Sequence, residues 1–264
     1  GVSSGSTGSV VVRGADSRWI AGSILTIGAS GHGTLTIEDG GSVTSTLTTI
    51  GSNTSGLGEA TVSGADSTWT NSGALIVGAL GNGTLTVSDG GMVSNATAGI
   101  GVGTGRQSAA LVSGAGARWI NSGDLTVGTN GSATLTVADS GHVSVGGGNG
   151  IVHVAEAATA NGVVNIGAAA GSAPVGAGTL GTAEVRFGDG TGRLNFNHTD
   201  SAYLFSPVIT GNGALNHYSG TTILTGDNTY SGSTMIAGGV LQLGNGGTSG
   251  SVTSDIQIDS TGTL

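Results

Sequence analysis

A unit of 50 residues governs the chain, seen most cleanly from Ala60 to Ala109 and anchored on Gly64-Ala65-Asp66-Ser67-Thr68-Trp69. Gly14-Ala15-Asp16-Ser17-Arg18-Trp19 precedes it and Gly114-Ala115-Gly116-Ala117-Arg118-Trp119 follows it, so Trp19, Trp69 and Trp119 stand in register. Gly28, Gly78 and Gly128 keep the phase, as do the segments Thr34–Ile37, Thr84–Val87 and Thr134–Val137, closed by Asp39, Asp89 and Asp139. A fixed period of this size marks a solenoid, a propeller or an array.

A finer period lies inside the unit. Val62 maps onto Val87, Leu75 onto Ile100, Val77 onto Val102 and Gly78 onto Gly103, each about 25 residues on. Short apolar runs such as Leu25–Ile27 and Leu35–Ile37 alternate with Thr and are bounded by Gly, Ser, Asn and Asp, as strands with one buried face are. The sub-period predicts a right-handed, single-stranded parallel β-helix, all-β, in which each coil buries its apolar face only against its neighbours. A kelch-like propeller shares the 50-residue period, the glycine pair and the Trp, but the sub-period and the shorter C-terminal spacing argue against it. Asp39, Asp89 and Asp139, followed by Gly or Ser, read as turn formers rather than calcium ligands.

Residues 1–150 are expected to be β-helix built from three 50-residue repeats. Residues 151–178 break the pattern and are expected to form an irregular coil or excursion, with His153-Val154-Ala155-Glu156-Ala157-Ala158 as the one plausible helical turn. Residues 179–264 resume as β-helix with shorter coils and strands of two to four residues, the whole forming one continuous solenoid. Counting about 25 and then about 20 residues per coil gives on the order of eleven coils and a rod of ~50 Å.

Composition limits the partners. The chain of 264 residues has 55 glycines without collagen's every-third rule, 36% apolar residues, 15 acidic side chains against six basic ones, and a net charge of -9. All six cations are arginine. No basic footprint exists for nucleic acid or anionic lipid. No cysteine is present, so neither disulfides nor thiolate metal sites are expected. No run reaches the roughly 18 apolar residues of a membrane helix, so this segment is not expected to insert in a membrane. No leader stands at the start, and Gly1 enters partway into a repeat, which reads as a piece of a longer protein.

At the C-terminal end, LTGDNTYSGST from Leu224 to Thr234, followed by GGVLQLGNGGTSGS from Gly238 to Ser251, resembles the passenger-associated transport repeat of type V autotransporters. Leu194-Asn195-Phe196-Asn197-His198-Thr199-Asp200 and Phe205-Ser206-Pro207 through Gly211-Asn212-Gly213 resemble the coil that often precedes it. The Trp, Leu-x-Val-Gly and Leu-Thr-Val-x-x-Gly-Gly marks between Gly1 and Gly150 resemble a second autotransporter-associated repeat. The resemblance implies a β-helical passenger at the surface of a Gram-negative bacterium or secreted from it, anchored in the outer membrane by a C-terminal translocator β-barrel in the full-length protein. It also implies export from the C-terminus first. From this, and from the C-terminal aromatics, residues from about Thr179 onward are expected to form the stable seed of folding.

Candidate sites are few. Gly1-Val2-Ser3-Ser4-Gly5 fits a nucleophile elbow, and Gly176-Ala177-Gly178-Thr179-Leu180-Gly181 fits a dinucleotide fingerprint, but neither has its strand-turn-helix or βαβ frame. His32, His142, His153, His198 and His217 show no pair at metal-ligand spacing on a common element. No catalytic, cofactor or metal residues are assigned and no cofactor is expected. Trp19, Trp69 and Trp119 are the ligand-contact candidates: either they pack in the core, or they form an exposed track, about 10 Å between neighbours, that stacks on sugar rings.

The expected function is that of a non-enzymatic adhesin or self-association module acting through multivalent polar contacts. Its partner would be a host-cell or matrix receptor, a glycan, or another copy of itself. One alternative is a structural stalk that displays a distal domain. The other is a polysaccharide-degrading β-helix enzyme, which would need clustered carboxylates in a groove.

Overall fold

The computed structural model describes residues 1–264 and is a parallel β-solenoid of ten complete coils and the start of an eleventh. Each regular coil carries three strands. In the second coil these are His32–Glu38, Ser42–Ser45 and Leu47–Ile50; in the third, Leu57–Ser63, Thr68–Asn71 and Leu75–Val77. Equivalent strands of successive coils pair in parallel, giving a face of long, seven-residue strands and two faces of shorter ones. Ladder bonds run between coils, so backbone groups are satisfied along the axis. A single cluster of 47 buried apolar residues runs up the middle.

The pairing register explains why the repeat spans two coils and not one. On the long-strand face the step is constant: Leu35 pairs Ala60, Ala60 pairs Leu85, Leu85 pairs Ala110. On the second face the step alternates between shorter and longer. Arg18 stands opposite Ser42; an equal step onward would reach Asp66, but Ser42 stands opposite Thr68. Two inequivalent coils therefore alternate. Leu35 shares its coil with Val43, Ala60 with Trp69, Leu85 with Val93 and Ala110 with Trp119. A small residue on one face accompanies the indole on another, and a large one accompanies valine, so every layer fills to a similar volume.

The corners are built by residues that tolerate left-handed backbone. Gly28 has φ 67°, and a Cβ there would stand 2.1 Å from the Leu57 carbonyl oxygen, so no other residue fits where the next coil passes. Asp39, Asp89 and Asp139 take φ 52°, 50° and 47° at the turn that follows the long strand, a conformation that aspartate visits more readily than most residues. The turn-forming role read from the sequence is the one observed.

Two local expectations are corrected. His153-Val154-Ala155-Glu156-Ala157-Ala158 forms no helical turn: His153 and Val154 end the strand Ile151–Val154, and Ala155 turns the corner at φ 55°. The one helical segment is a short 3₁₀ turn, Gly146–Gly148. The C-terminal strands are also not uniformly two to four residues, because Glu184–Asn197 and Val208–Ser219 run for 14 and 12 residues across two faces. Between Phe187 and Gly192 the register shifts, and this bulge bends the strand without ending it. Within 151–178, the strands Ile151–Val154 and Asn161–Gly167 keep their places in the stack, and residues 168–178 leave it.

Candidate functional site

The aromatic track does not form. Trp69 and Trp119 are fully buried, each in register between valines, Trp69 between Val43 and Val93 and Trp119 between Val93 and Val143. Their indole N–H groups are spent inside: Trp69 donates to Ser45 Oγ at 3.1 Å and Trp119 to Asn95 Oδ1 at 2.7 Å. Trp19 lies on the end strand of its sheet, packed against the core but partly exposed. The three residues share one inward column, which is why no sugar could stack along them.

Beneath the indoles runs a buried polar column. Asn71 Oδ1 accepts from Ser45 and Thr48, and its amide donates to the carbonyls of Gly73 and Ala74. Asn95 donates to Asn121 at 2.6 Å. These bonds satisfy the wider corner of the Trp-bearing coils, since a buried amide without partners would cost about 1–3 kcal/mol.

The broadest outward surface is the long-strand face. Its outward positions stack in register: Thr36, Thr61 and Thr86 on successive coils, then Leu111, then Thr136, Asn165, Asn195 and Asn216. From Asn82 to Asn165 the outward side chains on four successive long strands are all uncharged. Charge lies towards the two ends, with Arg13 paired to Glu38 and Asp39, His32 at 3.5 Å from Glu59, and Arg193 exposed.

Two open depressions run along this face and meet at Thr134 and Val163. The first is lined by Thr84, Gln107, Ser132 and Asn161. The second has as its floor Asn165, Asn195 and Asn216, with Arg193 and Tyr218 beside them and Ala169 and Ala170 of the excursion at its edge. The floor amides form a ladder: Asn216 donates to Asn195 Oδ1 at 2.9 Å, Asn195 to Asn165 Oδ1 at 2.8 Å, and Asn165 to Thr136 Oγ1 at 3.1 Å. Asn197 holds the excursion in place by donating to the carbonyls of Ala169 and Ser172, both at 3.0 Å.

The third face is different in kind. Thr126, His153, Arg186 and Thr210 succeed one another outward. Arg186 forks onto both oxygens of Glu184, at 2.9 and 2.7 Å, and this bond holds the Glu184 carboxyl below its ordinary range. No three of His, Asp and Glu converge as metal ligands would. No helix is long and apolar enough to cross a membrane.

His198 and His217 are brought together by the fold and were not paired by sequence reasoning. Both are fully buried, and both ring Nε2 atoms contact Thr222 Oγ1. The register between their coils sets His217 opposite Phe196 and not His198, so no coil period in the sequence aligns the two histidines.

The family model described as the passenger-associated-transport-repeat matches residues 217–243. A 75-residue stretch, 28% of the chain, is 36% identical to the adhesin BmaC autotransporter of Brucella suis biovar 1 (strain 1330), of which it covers 2%. A 132-residue stretch, 46% of the chain, is 35% identical to the uncharacterized lipoprotein YdeK of Escherichia coli (strain K12), covering 10% of it. The chain thus spans a small part of the length of the curated relatives it matches. No solved structure matches. The transport repeat, together with the likeness to an autotransporter adhesin, supports a type V passenger domain.

Proposed function

We propose that this passenger β-helix is a non-enzymatic adhesive segment whose contact surface is the long-strand face, displayed at the cell surface or secreted, with a C-terminal translocator in the full-length protein. The observation that carries the reading is the run of four long strands, from Asn82–Ser88 to Asn161–Gly167, whose outward side chains are uncharged and stacked in register. The column Gln107, Ser132 and Asn161 offers a hydroxyl or amide at ~4.8 Å spacing along a stiff rod, with Thr84, Thr86 and Thr134 beside it, and these groups meet a glycan, a matrix protein or a second copy in many weak bonds at once. Absence of charge on these strands keeps like charges from meeting at contact distance when two copies, each with a net charge of -9, approach through this face. The adhesin relative supports the same reading.

A second reading, a stalk, is favoured by one feature. Asn165 and Asn195 are almost completely buried and spend their amides within the ladder, which rigidifies the rod rather than offering groups to a partner. Beads carrying the purified chain discriminate the two. Adhesion predicts that beads cluster or that the chain captures glycans or matrix proteins on an array; beads that stay dispersed, together with a blank array, leave the stalk.

A further inference from the structure

We propose that the C-terminal coils carry an acid-sensitive latch, formed by His198, Thr222, His217 and the Gly238 carbonyl, that holds three successive coils closed while both imidazoles are neutral. His198 follows the strand Glu184–Asn197 and belongs to the first of these coils. His217, in Val208–Ser219, and Thr222, in Thr221–Leu224, belong to the second, with His217 in register between Phe196 and Ile236. Gly238 lies at the corner of the third, after the strand Thr234–Ile236.

The hydrogen bonds fix the protons. Gly238 O can only accept, so His217 Nδ1, 2.8 Å away, carries a hydrogen and its Nε2 does not. Thr222 must therefore donate its single hydroxyl proton to His217 Nε2, at 3.1 Å. Having spent it, Thr222 accepts from His198 Nε2–H at 2.8 Å. His198 is the Nε2–H tautomer, and its bare Nδ1 is buried with no partner. The chain of donors runs one way, from His198 through Thr222 and His217 to Gly238.

An added proton has no good place. On His198 it would make a buried cation supported only by Asp200, through its backbone carbonyl and its carboxylate, and that support is outweighed by burial; on His217 it would require the Thr222 hydroxyl to turn round. Either cation sits against Phe196, whose ring is 6.5 Å from His198 and 6.3 Å from His217, and the two imidazoles are only 6.1 Å apart. Tyr203, 5.2 Å from His198, gives its hydroxyl to the Gly178 carbonyl. Asp200 is the one charged side chain that favours protonation of His198, and its Oδ1 already accepts from the Ala177 N–H. Burial prevails and lowers His198 to about 4, and it lowers His217 as well, with the Gly238 carbonyl opposing.

The direction of the effect follows. Both groups are lowered in the folded coils relative to an opened state near 6.5, so closure is complete above that value and weakens as pH falls towards the folded values. Below pH 6.5 each histidine raises the opening constant by up to about tenfold per pH unit. Coils touch only their neighbours, so the loss stays local.

Hydrogen exchange on the whole chain, corrected for intrinsic rates, tests this. Between pH 7 and pH 5, peptides within 194–243 should lose protection by at least ~20-fold, the contribution of His198 alone, while the histidine-free stretch Leu57–Val112 should change less than ~3-fold. His198→Gln keeps an N–H for Thr222 but cannot titrate, and should remove most of that response. A long-range nitrogen–proton spectrum of the native chain gives a readout that needs no variant: His198 should show the Nε2–H form and His217 the Nδ1–H form, both neutral at pH 6. Equal acid responses in the two regions, a full response in His198→Gln, or imidazoles titrating near 6.5 would overturn the latch.

Discussion

Trp119 and Ala110 show how one residue's size is set by another's. They share a coil, while the neighbouring coils carry Val93 with Leu85 and Val143 with Leu135. Trp119→Val should cost about 3 kcal/mol, through the cavity and the loss of the bond to Asn95. Adding Ala110→Leu should restore part of that loss, because the coil then has the composition of its neighbours, whereas Ala110→Leu alone should overpack and destabilise by about 1–3 kcal/mol. Chemical denaturation of the three variants measures the coupling, and simple additivity would show that the two residues do not share a layer. The register of the tryptophans was legible in the sequence, and so was the alanine at the same phase. Which side they face was legible only through Val43 and Val93, their partners at coil spacing; the polar columns of Ser45, Asn71, Asn95 and Asn121 gave no such sign, because a buried asparagine and a turn asparagine look alike in a chain this rich in turns.

Individual coils differ in how far the sequence announces them. From Thr7 to Ser132 the long strands pair at a constant step, so their existence, faces and corners follow from the repeat. Beyond it Ser132 pairs Asn161, Asn161 pairs Thr191, and Gly192 pairs Gly213, steps that first lengthen and then shorten. The amide ladder and the histidine latch both depend on those steps, so neither could be aligned by period alone. The ladder should be sensitive to interruption: Asn195→Leu strands Asn165 Oδ1 and Asn216 Nδ2 and should cost about 2–3 kcal/mol. Thr86→Leu, on the same outward column and free of such bonds, should stay within about 0.5 kcal/mol. Thermal or urea unfolding would show equal losses if the ladder carried no energy. The folding seed expected from Thr179 onward also narrows, because Ile258 and Leu264 are exposed while Leu194, Phe196, Leu215, Leu224, Tyr230 and Leu241 are buried. At neutral pH the slowest-exchanging C-terminal amides should therefore lie between Val185 and Leu241, and slower exchange after Ile256 than in that span would contradict the assignment.

At the scale of the molecule, ten coils at ~4.8 Å give a rod of ~50 Å. A long-strand face of seven-residue strands is ~20 Å across, wide enough for a partner to lie along it. The second face, with Thr44, Thr70, Ser94 and Ser144 outward, is narrower and is interrupted by Arg118 and His142. If adhesion belongs to the long-strand face, carboxylates placed there should abolish it by repulsion and by desolvation cost, while the same number on the second face should not. The direct measurement is clustering of beads coated with the chain, or their capture on the matrix or glycan surface to which the chain binds, comparing Thr86→Glu/Thr134→Glu/Thr136→Glu with Thr70→Glu/Ser94→Glu/Ser144→Glu, both first shown by circular dichroism to keep the native β signal. The account predicts loss of binding by about tenfold or more in the first variant and near-native binding in the second; equal binding by the two variants, or loss confined to the second, would contradict it.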